Sequence, residues 1–170
     1  TAYYGDNRKI ELVPYKHIEN VTLKEKYEMA ERPSAELGKY LASLRATQYF
    51  ASARGALDRA AQIEDWFTRF EGNLKELYQD KDLSLDFNID TFQFTIHVNG
   101  REPFDFNTMS MGYAAVFDIV ADLMMRMEAQ HCYDMEGIVL IDEIETHLHV
   151  ELQKQIVPFL MRLFPNIQFI

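Results

Sequence analysis

Two adjacent acids, Asp142 and Glu143, follow the aliphatic run Gly137-Ile138-Val139-Leu140-Ile141, and Glu145, His147 and His149 come after them at alternate positions. One carboxylate to hold a divalent cation, beside a second to polarise a water, is a pair that can drive hydrolysis. The run that carries them is short, apolar and opened by a glycine. It predicts a strand buried on both faces, the kind found in a parallel sheet under helices. The carboxyl end of such a strand is where open α/β sheets bind ligands. Two neighbouring carboxylates are costly to bury without compensation, so a cation or solvent must lie beside them.

This is the arrangement of a Walker B strand, with Asp142 for the Mg²⁺ of a nucleotide and Glu143 for the attacking water. The string from Leu140 to His149 resembles the Walker B and D-loop region of the ABC-type P-loop ATPases of the OLD, RecF and SMC group, above all their compact AAA-like members of the anti-phage defence type. Upstream, Met109-Ser110-Met111-Gly112-Tyr113 resembles the signature of that group, and one helix joins the two motifs. Small residues at a helix entrance leave backbone amides free to attract anions. The resemblance implies an ATPase with ATP and Mg²⁺ as cofactors. Glu143 is then the general base, Asp142 the metal ligand, and Ser110, Met111 and Gly112 the nucleotide-binding tip that meets the γ-phosphate on a partner's P-loop. Glu145, His147 and His149 become D-loop-like residues facing the dimer seam.

Met111 stands where the common signature has its middle glycine, Tyr113 where it has glutamine, and Val150 where a proline usually follows the second histidine. Variants of the Ser-x-Gly type are typical of the OLD-like members. Without the resemblance, the local chemistry reads more simply: acids and histidines that cap the next helix, and an N-capped helix after Ser110. Direct metal ligation by His147 and His149 with Asp142 is a further option, whereas His131, Cys132, Asp134 and Glu136 match no common zinc spacing and read as a loop.

The 170 residues, 48% hydrophobic, suffice for a real core. With 27 acids against 17 bases the net charge is −10, which argues against nucleic acid gripping this stretch directly. A single cysteine, Cys132, rules out an internal disulfide, and neither a secretory signal nor a bilayer-length apolar run occurs, so a cytoplasmic location without membrane contact is expected. No Gly-Lys-Ser/Thr turn is present to cradle phosphates, the chain starts at Thr1, and the family's switch histidine would fall past Ile170. The stretch therefore reads as the latter part of an ATPase head.

Along the chain, Arg8 to Val13 suggests a strand ended by Pro14. Tyr3, Tyr4 and Arg8 resemble a strand-plus-arginine feature of the family, or else form an edge strand with ordinary surface residues. Residues around Lys24 to Glu28 read as solvated. Pro33 and Ser34 open a helix running to about Phe50, with Ser34 as a possible cap, and Gly55 breaks it. A second helix places Leu57, Ala60, Ala61, Trp66, Phe67, Phe70, Leu74 and Leu77 on one stripe. This pair resembles the helical arm that the family inserts before its signature. Leu83 to Ile89 and Phe92 to Val98 alternate as a hairpin turning at Asp90-Thr91, with His97 on the polar face and a short strand or linker at Phe104 and Phe106. An amphipathic helix follows the signature, with Val116, Phe117, Val120, Leu123, Met124 and Met127 on one face. Leu152, Ile156, Phe159, Leu160 and Leu163 mark the last helix, which Pro165-Asn166 stops before a strand at Ile167.

The expected fold is α/β: the C-terminal part of a P-loop ATPase head, with a parallel βαβ core, a β-hairpin and a helical arm. Its parts are an N-terminal strand and connector at 1–32, the arm at 33–80, and the signature helix and Walker B lobe at 81–170. The expected function is ATP hydrolysis by a dimerising head that switches an effector, such as a nuclease or a DNA-acting partner, with this stretch alone inactive. A non-catalytic interaction module and a metal-dependent hydrolase built on Asp142, Glu143 and His147 are the alternatives.

Overall fold

The computed structural model describes all residues except 7, 9, 30 and 131–133. The chain forms two compact units, one made of 1–12, 22–37 and 107–170, the other of 13–21 and 38–106.

The first unit is built on a three-stranded sheet, β1 (Ala2–Tyr4), β4 (Gly137–Ile141) and β5 (Ile167–Phe169), in the order β1-β4-β5. Both pairings are parallel, with Tyr4 opposite Ile141 and Val139 opposite Phe169. Parallel neighbours need a crossover, and α4 (Val150–Leu163) supplies it between β4 and β5. Because side chains alternate along a strand, Ala2, Tyr4, Val139 and Ile167 share the buried face. Their neighbours Tyr3 and Ile138 remain 43% and 42% exposed. The expectation that β4 is buried on both faces is thus corrected: the face of Tyr3 and Ile138 stays open.

The helix after Ser110, α3 (Met111–Gln130), is also not the amphipathic element expected, since every residue from Ala114 to Leu123 is buried. Apolar side chains wrap it all round, so its polar residues Asp118, Asp122 and Arg126 are buried with it. A 3-10 turn, Pro33–Glu36, packs against this helix. Ser34 does not cap that turn; its hydroxyl donates to Asp118 Oδ1 at 2.8 Å. The strand expected at Arg8 to Val13 does not form among the described residues, and the strand lies at Ala2–Tyr4 instead.

The second unit contains α1 (Leu37–Ala53) from Gly38 onward, α2 (Leu57–Tyr78), and an antiparallel hairpin of β2 (Ser84–Phe87) and β3 (Phe94–His97). Gly55, with φ of 76°, allows the sharp turn between the helices, closed by the Ala56 amide on the Ala51 carbonyl at 2.9 Å. The α2 stripe is Ala60, Ile63, Trp66, Phe67, Phe70, Leu74 and Leu77, whereas Leu57 and Ala61 face solvent. Trp66 stacks on Phe70 at 5.3 Å and Phe67 on Phe94 at 5.9 Å, which fixes the hairpin against α2. The hairpin turn is longer than expected, Asn88 to Gln93, and leaves Ile89 exposed. Phe104 pairs with Ile96 through an isolated antiparallel bridge, and His97 pairs with Asp86 at 3.0 Å on the hairpin surface.

Candidate active site

At the carboxyl end of β4 the ladder continues one residue further, with the Asp142 amide donating to the Tyr4 carbonyl at 2.8 Å. The chain then turns repeatedly until α4. The Thr146 amide closes on the Glu143 carbonyl at 2.9 Å and the Leu148 amide on the Glu145 carbonyl at 3.0 Å. Glu143 and His147 have φ of 46° and 69°, a left-handed backbone that costs a non-glycine residue about 1–2 kcal/mol. Strain of this kind persists where surrounding contacts over-determine the loop, and it clusters at functional sites.

Those contacts are visible. Arg8, 6% exposed, donates from Nη1 to the carbonyls of Gly5 (3.0 Å) and Asp142 (2.6 Å). Its Nη2 donates to the carbonyls of Glu143 (2.8 Å) and Ile144 (3.2 Å). Arg8 is therefore no ordinary surface residue. Burial lowers its pKa, and the carboxylates of Asp118, Asp6, Asp142 and Glu145 oppose that shift. Gln153 Nε2 donates to the Leu148 carbonyl at 2.9 Å, and His149 Nδ1 accepts from the Leu152 amide at 3.2 Å. His149 is thus the N-cap of α4.

With the backbone held from behind, both acids point to solvent and lie exposed. Thr146 Oγ1 donates to Glu143 Oε2 at 3.0 Å, and among the described residues the Asp142 carboxylate carries no hydrogen bond or ion pair. The tip of α3 meets the same loop. A Cβ on Gly112 would lie 3.0 Å from the His147 carbonyl oxygen, and the Tyr113 ring stands edge-on to His149 at 5.9 Å. Ser110 and Met111 are exposed at that tip, and the Ser110 carbonyl accepts from the Ala114 amide at 2.9 Å to open the helix. Glu145 and His147 are exposed as well. No three His, Cys, Asp or Glu side chains cluster to hold a metal among the described residues, so the ligand set Asp142, His147 and His149 is not assembled, nor is one of Asp142, Glu143 and His147. His131 and Cys132 lie outside the described residues.

Behind the site runs a buried polar network that the sequence reading passed over. Tyr4 Oη donates to Asp122 Oδ2 at 2.6 Å, and Arg126 Nε donates to the same oxygen at 2.7 Å. Arg126 Nη2 reaches the Glu31 carbonyl at 2.7 Å, and the Arg32 guanidinium lies 4.7 Å from the centre of the Tyr4 ring. Burial, then the charge of Asp122, pushes the Tyr4 phenol far above its ordinary range. Burial also raises Asp118, against the hydrogen bond from Ser34. The available signal was two acids and an arginine at four-residue spacing inside an apolar helix, a pattern expected of neither a surface nor a plain core helix.

Residues 16–170 match the family described as "AAA domain, putative AbiEii toxin, Type IV TA system". The chain belongs to this family. Within the AAA domain, stretches resemble three curated proteins. One is the Septu protein PtuA of Bacillus mycoides (strain KBAB4), 46% identical over 63 residues, or 36% of this chain and 9% of that protein. Another is the "Retron Vc95 probable ATPase" of Vibrio cholerae serotype O1 biovar El Tor, 41% identical over 81 residues, 45% of this chain and 16% of that protein. A third is the "Retron Ec83 probable ATPase" of Escherichia coli, 40% identical over 67 residues, 36% of this chain and 12% of that protein. The AAA domain here thus spans less than a fifth of the length of the curated relatives it matches. Its three-stranded parallel sheet with helices is the α/β architecture expected. No described helix is long and apolar enough to cross a membrane.

Proposed function

We propose that this AAA domain is the signature and Walker B part of an ATP-hydrolysing head of the OLD-like type, acting as a dimer in an anti-phage defence system. One observation carries the reading. The loop after β4 presents Asp142 and Glu143 to solvent from a strained backbone, and the α3 tip abuts that same loop at His147. Relatives named as retron ATPases and a Septu protein support the activity and the setting.

Mg²⁺ fits the donors present. A hard cation takes carboxylate oxygen, commonly one or two protein carboxylates with the rest from substrate phosphates and water. The Asp142 carboxylate is exposed, uncommitted among the described residues and fixed through its backbone to Tyr4 and Arg8. When bound, the ion would supply charge neutralisation at the phosphates. Glu143 would accept the proton of the attacking water, and Thr146 would orient its carboxylate through the 3.0 Å hydrogen bond. The exposed Ser110 hydroxyl and the backbone amides at the α3 entrance would bind the γ-phosphate of ATP held by the partner subunit. Glu145 and His147 would line the seam between subunits from the loop before α4, with His149 capping that helix. Residues 33–80 would serve as the arm, and the switch would act on an effector such as a nuclease or a DNA-acting protein.

The test is a Glu143→Gln variant of the full-length protein. It should bind ATP and dimerise as before while turnover falls by on the order of 10²–10⁴, the usual worth of a general base. Unchanged turnover would remove Glu143 from that role.

A further inference from the structure

The guanidinium of Arg8 sits where three consecutive carbonyls, those of Asp142, Glu143 and Ile144, converge, together with the carbonyl of Gly5. Carbonyl oxygens of one polarity do not gather unaided, and buried polar groups demand partners. A planar fork with two terminal nitrogens satisfies four acceptors at once, and a lysine ammonium, with three donors on one point, does not. The same cation ties the carboxyl end of β1, through Gly5, to the carboxyl end of β4, through Asp142. It also holds Glu143 at φ of 46°, a conformation the residue would leave if released. Arg8 in turn lies in the field of Asp118 on the signature helix and of Asp6.

We propose that Arg8 is a positioning residue for hydrolysis: by clamping the carbonyls of Asp142, Glu143 and Ile144 it holds the Glu143 carboxylate where the attacking water must be deprotonated. The inference rests on the reading of Glu143 as the general base. Among the described residues Arg8 hydrogen-bonds to backbone carbonyls alone, so it acts through Glu143 and Asp142. Its removal should slow the chemical step and spare nucleotide binding, since a displacement of about 1 Å of a catalytic group costs on the order of 10²-fold.

The experiment compares Arg8→Ala, Arg8→Lys and Glu143→Gln in the full-length protein. Arg8→Ala should lower kcat about 10²-fold with KM for ATP changed less than about threefold. Added methylguanidinium should restore at least a tenth of the lost rate. Arg8→Lys should stay folded and remain well below wild type, because charge without the fork does not suffice. Independently of turnover, amide hydrogen exchange at Thr146 and Leu148 should quicken by about tenfold or more in Arg8→Ala, while exchange in α4 stays as it was. If Arg8→Ala does not fold, Arg8→Lys carries the comparison by the same kcat and exchange criteria. Wild-type kcat in either folded variant, or a fall in kcat matched by an equal rise in KM without rescue, would overturn the inference. Turnover retained by Glu143→Gln would instead sink the general-base reading, and the exchange data would still report whether Arg8 orders the loop.

Discussion

The tip of α3 is tight at Gly112, where a Cβ would lie 3.0 Å from the His147 carbonyl oxygen and 3.7 Å from Leu148 Cα. The obstacle is backbone, and it is held: the Leu148 amide is bonded to Glu145 and the Leu148 carbonyl to Gln153. Alanine gains about 1 kcal/mol over glycine inside a helix, but less at an entrance, and overpacking costs about 1–3 kcal/mol. Gly112→Ala should therefore lose about 1–2 kcal/mol, read from chemical denaturation of the nucleotide-free protein. If the glycine served only the approach of a phosphate, stability without nucleotide would be unchanged.

His147 supplies that carbonyl from a left-handed backbone, φ 69°, with its ring exposed. Glycine at this position would relieve about 1 kcal/mol of strain and forfeit a similar amount in chain entropy. His147→Gly should leave stability within about 0.5 kcal/mol, whereas a β-branched His147→Val should lose about 1–3 kcal/mol. Equal melting temperatures for the two variants would contradict this account.

The acidic strand end and the presence of a helix before it were legible from sequence because a long apolar stretch and adjacent carboxylates are local signals. The open face of β4 was not, since Ile138 looks the same whether or not something covers it. Sequence left Arg8 between a strand-plus-arginine resemblance and an ordinary surface residue, because three of its four carbonyl partners lie more than 130 positions away and carbonyls leave no trace in residue identities. Ser34 misled for a related reason. Serine after proline at a helix start signals a cap, but a buried Asp118 offered its hydroxyl a better acceptor. The capping role open to the histidines after β4 falls to His149, which stands in for the usual Ser, Thr, Asp or Asn at the start of α4.

Arg126 and Asp122 test the buried network. Asp122 is fully buried and takes hydrogen bonds from Arg126 and Tyr4 on one oxygen. Removing one partner of a buried pair leaves an uncompensated charge, which costs about 3–5 kcal/mol. Arg126→Met should show that loss, and adding Asp122→Leu should recover a substantial part of it. Additive losses in urea denaturation of the two single variants and the double variant would show that the pair does not act as a unit.

Two tyrosines make the fold sensitive to alkali. Burial pushes the Tyr15 phenol up to about 12, while its hydroxyl donates to the Phe92 carbonyl at 2.8 Å. The Tyr4 phenol is also raised well above its ordinary range, by burial and then by the charge of Asp122. Both groups have folded pKa values above the ordinary value near 10, so the native chain keeps protons that the unfolded chain releases. Their contribution is complete below pH 10 and is lost as pH rises through the folded values, which for Tyr15 means the window from about 10 to 12. Urea midpoints should fall progressively across that window, in step with late phenolate absorbance. Tyr4→Phe has no phenol to ionise, so its midpoint should start lower at neutral pH, by the loss of one buried hydrogen bond, about 1–3 kcal/mol, and then decline less steeply with alkali than wild type. An equal slope in the two proteins would mean that the Tyr4 proton is not held by the native state, and that the bond to Asp122 does not form in solution.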